Sequence, residues 1–531
     1  MMYSYLRASV LSSAISVRLF SAPLVLVLLL AGISGGCGSS PEVIQVEGEA
    51  RTADRSTPSD ADTSAEKAPF RLHIGELKQA YSIDPLYALY PASKRMVSLI
   101  YEGLTRLDED GNVQPALAES WEVSEDSTRY TFTLRENAFF HDDPAFTTGQ
   151  GRQVRAQDVR FAFTRMTERN VPEEAAELFK PHIKGFEAFS TQRRHAYFEN
   201  EKIMEHIPGI TAVDERTITF ELNAPAPEFP ELLARPMASV YPEEAFEQSG
   251  VQGEARAVGS GPFVFSQVQG DTLVTLERNF DFYDEARVAA GLNSIQFRFF
   301  EEEARLFSAL SAGDIQLLPQ VGPLTSQTVL MTGGDSESPR LAQAYTDQLR
   351  LSTHQFATLG IYFKEDNSLD IPYSQLPAVY EALGGDNFME RLPVFSRLMM
   401  MEEEPAQTSE TQLSGELSIG AYPEAHATFV AARLAMDMNQ AEGAEDRNMR
   451  VYPLPHPHRD VLLYVAPQAG ARSVPGLRTI ALVSIPQFSL HRLDAGEIHF
   501  NEHPWWISFK DAVREQAAET RYDSDTAQAG D

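Results

Sequence analysis

Cys37, the only cysteine among 531 residues, comes shortly after an apolar run. This arrangement restricts both the compartment in which the chain folds and the interactions that can stabilise it. Arg7 and Arg18 precede the run, which extends from Ala22 to Ile33 (APLVLVLLLAGI) and ends in small residues. A basic start, a short apolar core and a small-residue exit are typical of a secretory signal, whereas a spanning helix needs about 20 apolar residues. Because one cysteine excludes an internal disulfide, burial of apolar side chains has to stabilise the exported chain.

The residues around Cys37 allow two kinds of processing. They read Ser34-Gly35-Gly36-Cys37, whereas the usual lipobox has Leu three places before the cysteine. One interpretation is lipobox cleavage, with Cys37 as the lipidated first residue of a chain held at a membrane surface. The other is ordinary signal cleavage nearby. We predict a signal peptide over residues 1–37 with lipidation at Cys37, and an exported, periplasmic or cell-surface location.

Two segments lack the apolar residues that a folded core requires. Residues 38–69 are rich in Ser, Thr, Asp, Glu, Ala and Pro, with almost no large apolar residue after Val46. Such a stretch cannot offset its ordering entropy by burial, so we predict a disordered linker there. Residues 517–531 form a similar polar tail. The folded part is therefore expected at about 70–516, which is long enough to divide into lobes.

Charge and motifs exclude several function classes. The formal net charge is −32, from 76 acidic and 44 basic residues, and phosphate binding needs a basic field, so nucleic acid is excluded as a partner. The sequence has no P-loop, dinucleotide fingerprint, HExxH helix or GxSxG elbow, so we predict neither cofactor nor catalytic residues. His456 and His458 are spaced as a metal-binding strand would space them, but a surface loop is the alternative, and no metal is predicted.

Local patterns predict strands and helices in the first half of the folded part. Residues 70–75 alternate as a half-buried strand, and residues 83–103 place apolar side chains at helical spacing up to Gly103. Short strands are predicted around 104–107, 121–123 and 130–134, with a helix over 154–169.

These segments resemble the family 5 extracellular solute-binding proteins, the peptide-, dipeptide- and nickel-binding components of ABC importers. The matching segments, in order, are Leu99–Leu107 (LIYEGLTRL), Gly111–Val123 (GNVQPALAESWEV), Tyr130–Phe140 (YTFTLRENAFF), the helix beginning at Ala156, Val258–Phe265 (VGSGPFVF), Leu276–Tyr283 (LERNFDFY) and Ser308–Leu317 (SALSAGDIQL). Together they span roughly half of the chain, in the right order and spacing.

The resemblance implies an α/β fold of the periplasmic-binding-protein type, a two-lobe clamshell of the large, peptide-binding kind with an extra small β-rich domain. Mapped onto this sequence, lobe I takes 70–100, 210–318 and 476–516, the extra domain takes 101–209, and a divergent lobe II takes 319–475. The implied function is capture of a peptide or similar small solute between the lobes, as a monomer, for an ABC permease in the cytoplasmic membrane.

Lobe II departs from the family pattern. A strand at 417–420, a helix at about 427–439 and a strand at 449–452 are expected there. Peptide-binding relatives pair the ligand's ammonium with an Asp in a stretch like ADYNEP, and the corresponding residue here is Ala421, with Glu424 as a substitute only under a shifted alignment. Tyr81 and Tyr422 are candidates for stacking on a ligand, and plain packing is the alternative for both.

Three functions remain open from the sequence. The first is solute capture for import. The second keeps the fold without transport, as a divergent receptor or structural lipoprotein. The third is a secreted hydrolase, which the missing nucleophile and base constellation disfavours. Trp505 and Trp506, near the end of the folded part, are expected to pack in the core or to line a pocket.

Overall fold

The computed structural model describes residues 69–78, 81–195, 204–247, 256–270, 272–331, 339–364, 397–400, 415–421, 425–440, 447–453, 461–467, 477–501, 503 and 505–513. Within them, no helix is both long and apolar enough to cross a membrane. The signal segment and Cys37, the linker and the tail lie outside these ranges.

The strands, in chain order, are β1 Phe70–Leu77, β2 Thr105–Leu107, β3 Val113–Pro115, β4 Ala118–Val123, β5 Arg129–Leu134, β6 Ile210–Ala212, β7 Thr217–Glu221, β8 Phe263–Gln269, β9 Leu273–Arg278, β10 Leu292–Phe300, β11 Leu317–Leu318, β12 Leu330–Met331, β13 Arg340–Leu341, β14 Leu349–Lys364, β15 Arg397–Met400, β16 Gly415–Ala421, β17 Arg447–Pro453, β18 Val461–Pro467, β19 Leu477–Arg492, β20 His499–Phe500 and β21 Ile507–Ser508.

The helices are α1 Pro91–Ile100, α2 Ala156–Arg165, α3 Glu173–Phe179, α4 Phe186–His195, α5 Phe229–Leu232, α6 Glu244–Glu247, α7 Glu303–Ala312, α8 Pro323–Val329 and α9 Ala425–Gln440. Short 3₁₀ turns occur at Pro85–Tyr87, Pro236–Ala238, Glu285–Arg287 and Leu493–Ala495. This mixture of helices and strands confirms the expected α/β class.

The largest sheet contains eleven strands in the order β17-β16-β18-β14-β19-β11-β1-β10-β9-β8, with β15 pairing to β19 off this path. Its first strand by sequence, β1, is parallel to β10 and to β11. Helix α1 packs beside β1, where Arg95 makes a buried two-point ion pair with Glu76, both contacts at 2.7 Å. A buried pair of this kind needs both partners, because either charge alone would be left without compensation.

A separate four-stranded sheet, β4-β5-β7-β6, carries α2 against it. Val159, Phe163 and Met166 lie on one face of the α2 segment, and all three are fully buried. The ring of Phe163 lies 5.2 Å from that of Phe220 on β7, and Phe220 also meets Phe132 on β5. Because β6 and β7 complete this sheet, the sheet extends beyond residue 209, where the sequence placed the end of the extra domain.

The loop before β8 runs very close to the end of α1. A Cβ atom at Gly259 would lie 2.0 Å from the carbonyl oxygen of Ile100, and one at Gly261 would lie 2.6 Å from that of Leu99. Close backbone approach therefore requires both glycines, and β8 begins at Phe263, directly after this loop. Helix α1 ends at Ile100, three residues before Gly103, because Tyr101 already has an extended backbone conformation.

Two long antiparallel strands, β14 and β19, connect the two ends of the large sheet. Their pairing extends from Leu349 and Arg492 to Lys364 and Leu477, with a register shift after Thr353. One end of β19 pairs with β11, and β18 pairs with the far end of β14. Strand β19 begins at Leu477, next to the predicted lobe boundary at residue 476, and that boundary stays a prediction.

The divergent region contains the expected strand, helix and strand as β16, α9 and β17. Strands β16 and β17 are parallel, and α9 connects them. Ala427, Val430 and Leu434 of α9 are fully buried and recur at helical spacing. The apolar residues of α9 thus recur with the helical period of 3.6 residues and form one buried face.

Candidate functional site

Parallel strands collect their carboxyl ends at one edge of a sheet, and ligands of open α/β sheets bind beyond that edge. Strands β1 and β10 end together at Leu77 and Phe300, and the Lys78 amide donates a hydrogen bond to the Phe300 carbonyl at 2.7 Å. Strand β16 ends at Ala421 beside parallel strands β17 and β18. The molecule thus has two such edges.

The two edges point toward each other. Strand β1 is parallel to β14 through β11 and β19, whereas β16 is antiparallel to β14 through β18. Through these registers the end of β1 lies level with about Thr353 of β14, and the end of β16 lies level with Ile361. The stretch of β14 from Thr353 to Ile361 rises about 25 Å at the usual spacing of a strand. A space of this length suits a small extended ligand.

Tyr81 lies just after β1, at the first edge. Its ring is stacked on Phe299 of β10, with centroids 4.8 Å apart and planes within 7° of parallel. The side chain is half-buried, so Phe299 covers one face of the ring. The structure therefore places this predicted residue at the strand edge, and contact between Tyr81 and a ligand remains a prediction.

Asp84, three residues further on, is buried and holds this segment in place. Its carboxylate accepts a hydrogen bond from the Leu86 amide at 3.1 Å and caps the turn at Pro85–Tyr87. Arg165 of α2 pairs with the same carboxylate at two points and lies over the Phe246 ring, 4.0 Å from its centroid. The pair fixes the loop after β1 to the four-stranded sheet's helix. The sequence carries no signal for this pair beyond the Asp84-Pro85 turn.

At the second edge, Ala421 is the last residue of β16, level with Pro453 and Val465, and is 1% exposed. A carboxylate anchor is therefore absent at the position where the family resemblance places one. Tyr422 and Glu424, the other predicted ligand-binding residues, lie outside the described part of the chain.

A cavity of about 500 Å³ lies at the opposite, amino end of β1 and β10. Trp505 and Trp506 both line it, which favours the pocket-wall interpretation of these two residues. The amide of Ala289 donates to the Phe509 carbonyl at 3.2 Å and closes the C-terminal segment onto this end of the sheet. The cavity is thus separate from the two facing strand edges.

The described ranges contain no group of three or more His, Asp or Glu side chains arranged to hold a metal ion. His456 and His458 fall outside those ranges. His141 and His491 are buried, and burial lowers the pKa of each to about 4. The His141 ring donates to the backbone carbonyl of Gly261 at 2.9 Å, which indicates a structural histidine.

Comparison with known proteins agrees with this architecture. Residues 112–366 match the bacterial extracellular solute-binding proteins, family 5 Middle. Di/tripeptide-binding protein 1 of Pseudomonas aeruginosa is 32% identical over 226 residues, 41% of this chain and 38% of that protein. Dipeptide-binding protein DppE of Bacillus subtilis is 27% identical over 259 residues, 48% of this chain and 43% of that protein. The matched region thus spans less than half of each relative's length.

Similarity in three dimensions extends further. OppA of Listeria monocytogenes, solved bound to peptide, superposes with a TM-score of 0.63 at 14% identity, covering 85% of this chain and all of that one. This likeness confirms the two-lobe, periplasmic-binding-protein-like fold. The family match covers residues 112–366, just under half of the chain, and this part of the chain is similar to the bacterial extracellular solute-binding proteins of family 5.

Proposed function

We propose that this chain is the extracytoplasmic solute-binding component of an ABC importer and captures a peptide or similar small solute between its two lobes. The observation that carries the proposal is the pair of strand edges that face each other along β14 and β19. Ligands bind beyond such edges, and two of them enclose a ligand from both sides. The relatives bind di- and tripeptides by name, which supports peptides as the first ligand class to test.

In this proposal the chain binds and releases its solute without chemical change. Closure is a hinge motion in β14 and β19, and the register shift after Thr353 is a natural place for it because the ladder is locally interrupted there. The closed chain then delivers its solute to a permease in the cytoplasmic membrane. Lipidation of Cys37 would hold the monomer at the membrane surface, where release and uptake are coupled.

The test is the melting temperature of the purified chain with pools of di-, tri- and oligopeptides, with free amino acids and nickel as comparison ligands. A ligand that binds only the folded state at 100 times its Kd stabilises it by about 2.7 kcal/mol. A rise with peptides supports capture. Absence of any rise in a folded sample contradicts it and favours the divergent receptor or structural lipoprotein.

A second experiment tests whether Glu424 replaces the carboxylate that is absent at Ala421. If Glu424 pairs with the ligand's ammonium group, Glu424→Gln weakens binding of free-amine peptides at least tenfold and leaves N-acetylated peptides unaffected. Glu403→Gln is a matched control in the same acidic region of the sequence. Equal losses for free and acetylated peptides would exclude Glu424 as the partner of the ammonium. Tyr81→Ala and Tyr422→Ala test stacking in the same assay.

A further inference from the structure

The cavity at the amino end of β1 lies far from the facing strand edges. The loop after β1 leads into α1, and the ten residues of this helix rise about 15 Å before Tyr101 reaches the cavity. The cavity is bounded by the end of α1, the β2–β3 turn and the segment 505–510. A solute held between the lobes therefore leaves this cavity free.

Most charged side chains around the cavity already have partners. Arg287 pairs with the buried carboxylate of Glu102, and Lys510 pairs with Glu109. Asp108 accepts hydrogen bonds from backbone amides of its own turn and from the side chain of Gln114 at 2.8 Å. Each of these carboxylates therefore has a partner, although Oε2 of Glu102 is buried without one among the described residues.

Among the described cationic side chains that line the cavity, Arg106 of β2 is the one without an ion pair, since Arg235 pairs with Glu231. The Nε atom of Arg106 is buried and has no hydrogen-bond partner, and the guanidinium makes no ion pair with any described residue. Burial and the neighbouring Arg287 guanidinium lower the pKa of Arg106, and the carboxylate of Asp284 offsets only part of this effect. An unpaired buried donor on a charged group destabilises the chain, so an anion placed here gains a partner that is already oriented.

The cavity also has a fixed aromatic wall. The indole nitrogen of Trp506 donates to the Leu107 carbonyl at 3.0 Å, and Trp505 is stacked on His503 with ring centroids 5.3 Å apart. Asn501 donates from its side chain to the Asp108 carbonyl at 3.1 Å and ties the same segment to the β2–β3 turn. The rings are thus held in place without a ligand, which reduces the entropy lost on binding.

We propose that this cavity is a second binding site, for a small anion with an apolar or aromatic body. The carboxylate or phosphate group pairs with the planar guanidinium of Arg106, which presents two parallel donors to such groups. The body of the ligand packs against the Trp506 indole. This site is independent of the solute captured between the lobes.

Tryptophan fluorescence and calorimetry test the proposal directly, because Trp505 and Trp506 are two of only three tryptophans and the third, Trp121, lies on β4 outside the cavity. The probes are phenylacetate and phenyl phosphate, with benzylamine as the cation of similar shape. Saturable binding of either anion, weakened at least tenfold by Arg106→Gln, supports the site. Binding of phenylacetate alone identifies a carboxylate ligand, and binding of phenyl phosphate alone identifies a phosphate ligand.

Two further variants distinguish loss of the binding site from misfolding of Arg106→Gln. Ala286→Glu adds a carboxylate at an exposed position on the rim and removes nothing buried, so it should also weaken anion binding. Arg129→Gln, an exposed arginine on β5, should leave it unchanged. The proposal is overturned if neither anion binds, if benzylamine binds equally well, or if Arg106→Gln and Ala286→Glu have no effect. The peptide melting assay on Arg106→Gln separates this outcome from failure of the proposed transport function.

Discussion

At the scale of single residues, the ion pair between Asp84 and Arg165 decides how the loop after β1 is held. Both side chains are at most 8% exposed, and the guanidinium also donates to the Tyr241 hydroxyl at 3.3 Å. Taking two charges out of water costs several kcal/mol per ion, which attraction and additional hydrogen bonds must offset. The pair therefore contributes mainly when both members are present, and losing one leaves an uncompensated charge.

Asp84→Asn should lower the free energy of unfolding by about 3–5 kcal/mol, because Arg165 would remain buried without its carboxylate. Urea titrations followed by circular dichroism measure the loss. The double variant Asp84→Asn, Arg165→Met should be more stable than the single variant. Arg129→Gln, which breaks the exposed pair with Glu221, should cost no more than about 1 kcal/mol. A smaller loss for Asp84→Asn than for this control would contradict the argument.

His141 makes stability depend on pH. Its Nε2 donates to the Gly261 carbonyl at 2.9 Å, and Nδ1 is buried with no partner among the described residues, so a second proton has no acceptor among them. Burial lowers the pKa from 6.5 to about 4. The unfolded chain therefore binds more protons than the folded chain between these values, and stability falls as pH decreases from about 6.5 toward 4.

His141→Gln keeps a donor for the Gly261 carbonyl and removes the titration, so the melting temperature should fall less steeply between pH 6.5 and 5 than in the native chain. Part of the slope should persist, because burial also lowers the pKa of His73 and His491 to about 4. His195→Gln, on the exposed end of α4, is the matched control for a histidine-to-glutamine change outside the core. An identical slope in His141→Gln and the native chain would refute this role for His141.

At the scale of elements, hydrophobic period was sufficient to locate β1 and α2, since each buries one face or stripe and its apolar residues recur accordingly. Contacts between distant segments left no such signal. The partners Asp84 and Arg165 lie on separate elements, and β7 joins β5 across three intervening helices. The cavity likewise combines α1, β2 and the C-terminal segment. Tertiary packing determines which distant segments pair, and a local sequence pattern carries no information about it.

Gly259→Ala tests the close approach between the β8 loop and α1. The new Cβ would meet backbone atoms of Ile100 at 2.0 and 2.7 Å, and backbone cannot move aside as a flexible side chain does. We expect destabilisation of at least about 1–3 kcal/mol, measured as a lower urea midpoint. Gly149→Asn is the control, because Gly149 has open space around it and Asn tolerates its positive φ of 74°. Equal midpoints for the two variants would contradict the steric argument.

At the scale of the whole molecule, the acidic side chains far outnumber the basic ones. Even if every basic side chain formed an ion pair, 32 negative charges would remain without a partner. Self-repulsion of this excess keeps the protein soluble and destabilises its compact state. Individual surface ion pairs contribute about 0–1 kcal/mol each and weaken with salt, so the two effects oppose each other.

We expect repulsion to dominate, so that the melting temperature at pH 7.5 rises between 10 and 100 mM NaCl, because the Debye length shortens from about 30 to about 10 Å over this range. Working at pH 7.5 keeps the buried histidines neutral and separates this effect from that of His141. Sucrose at matched osmolality controls for solute effects that do not screen charge. A melting temperature that falls with NaCl would mean that the ion pairs outweigh the repulsion among the unpaired carboxylates, and that the acidic surface stabilises the fold.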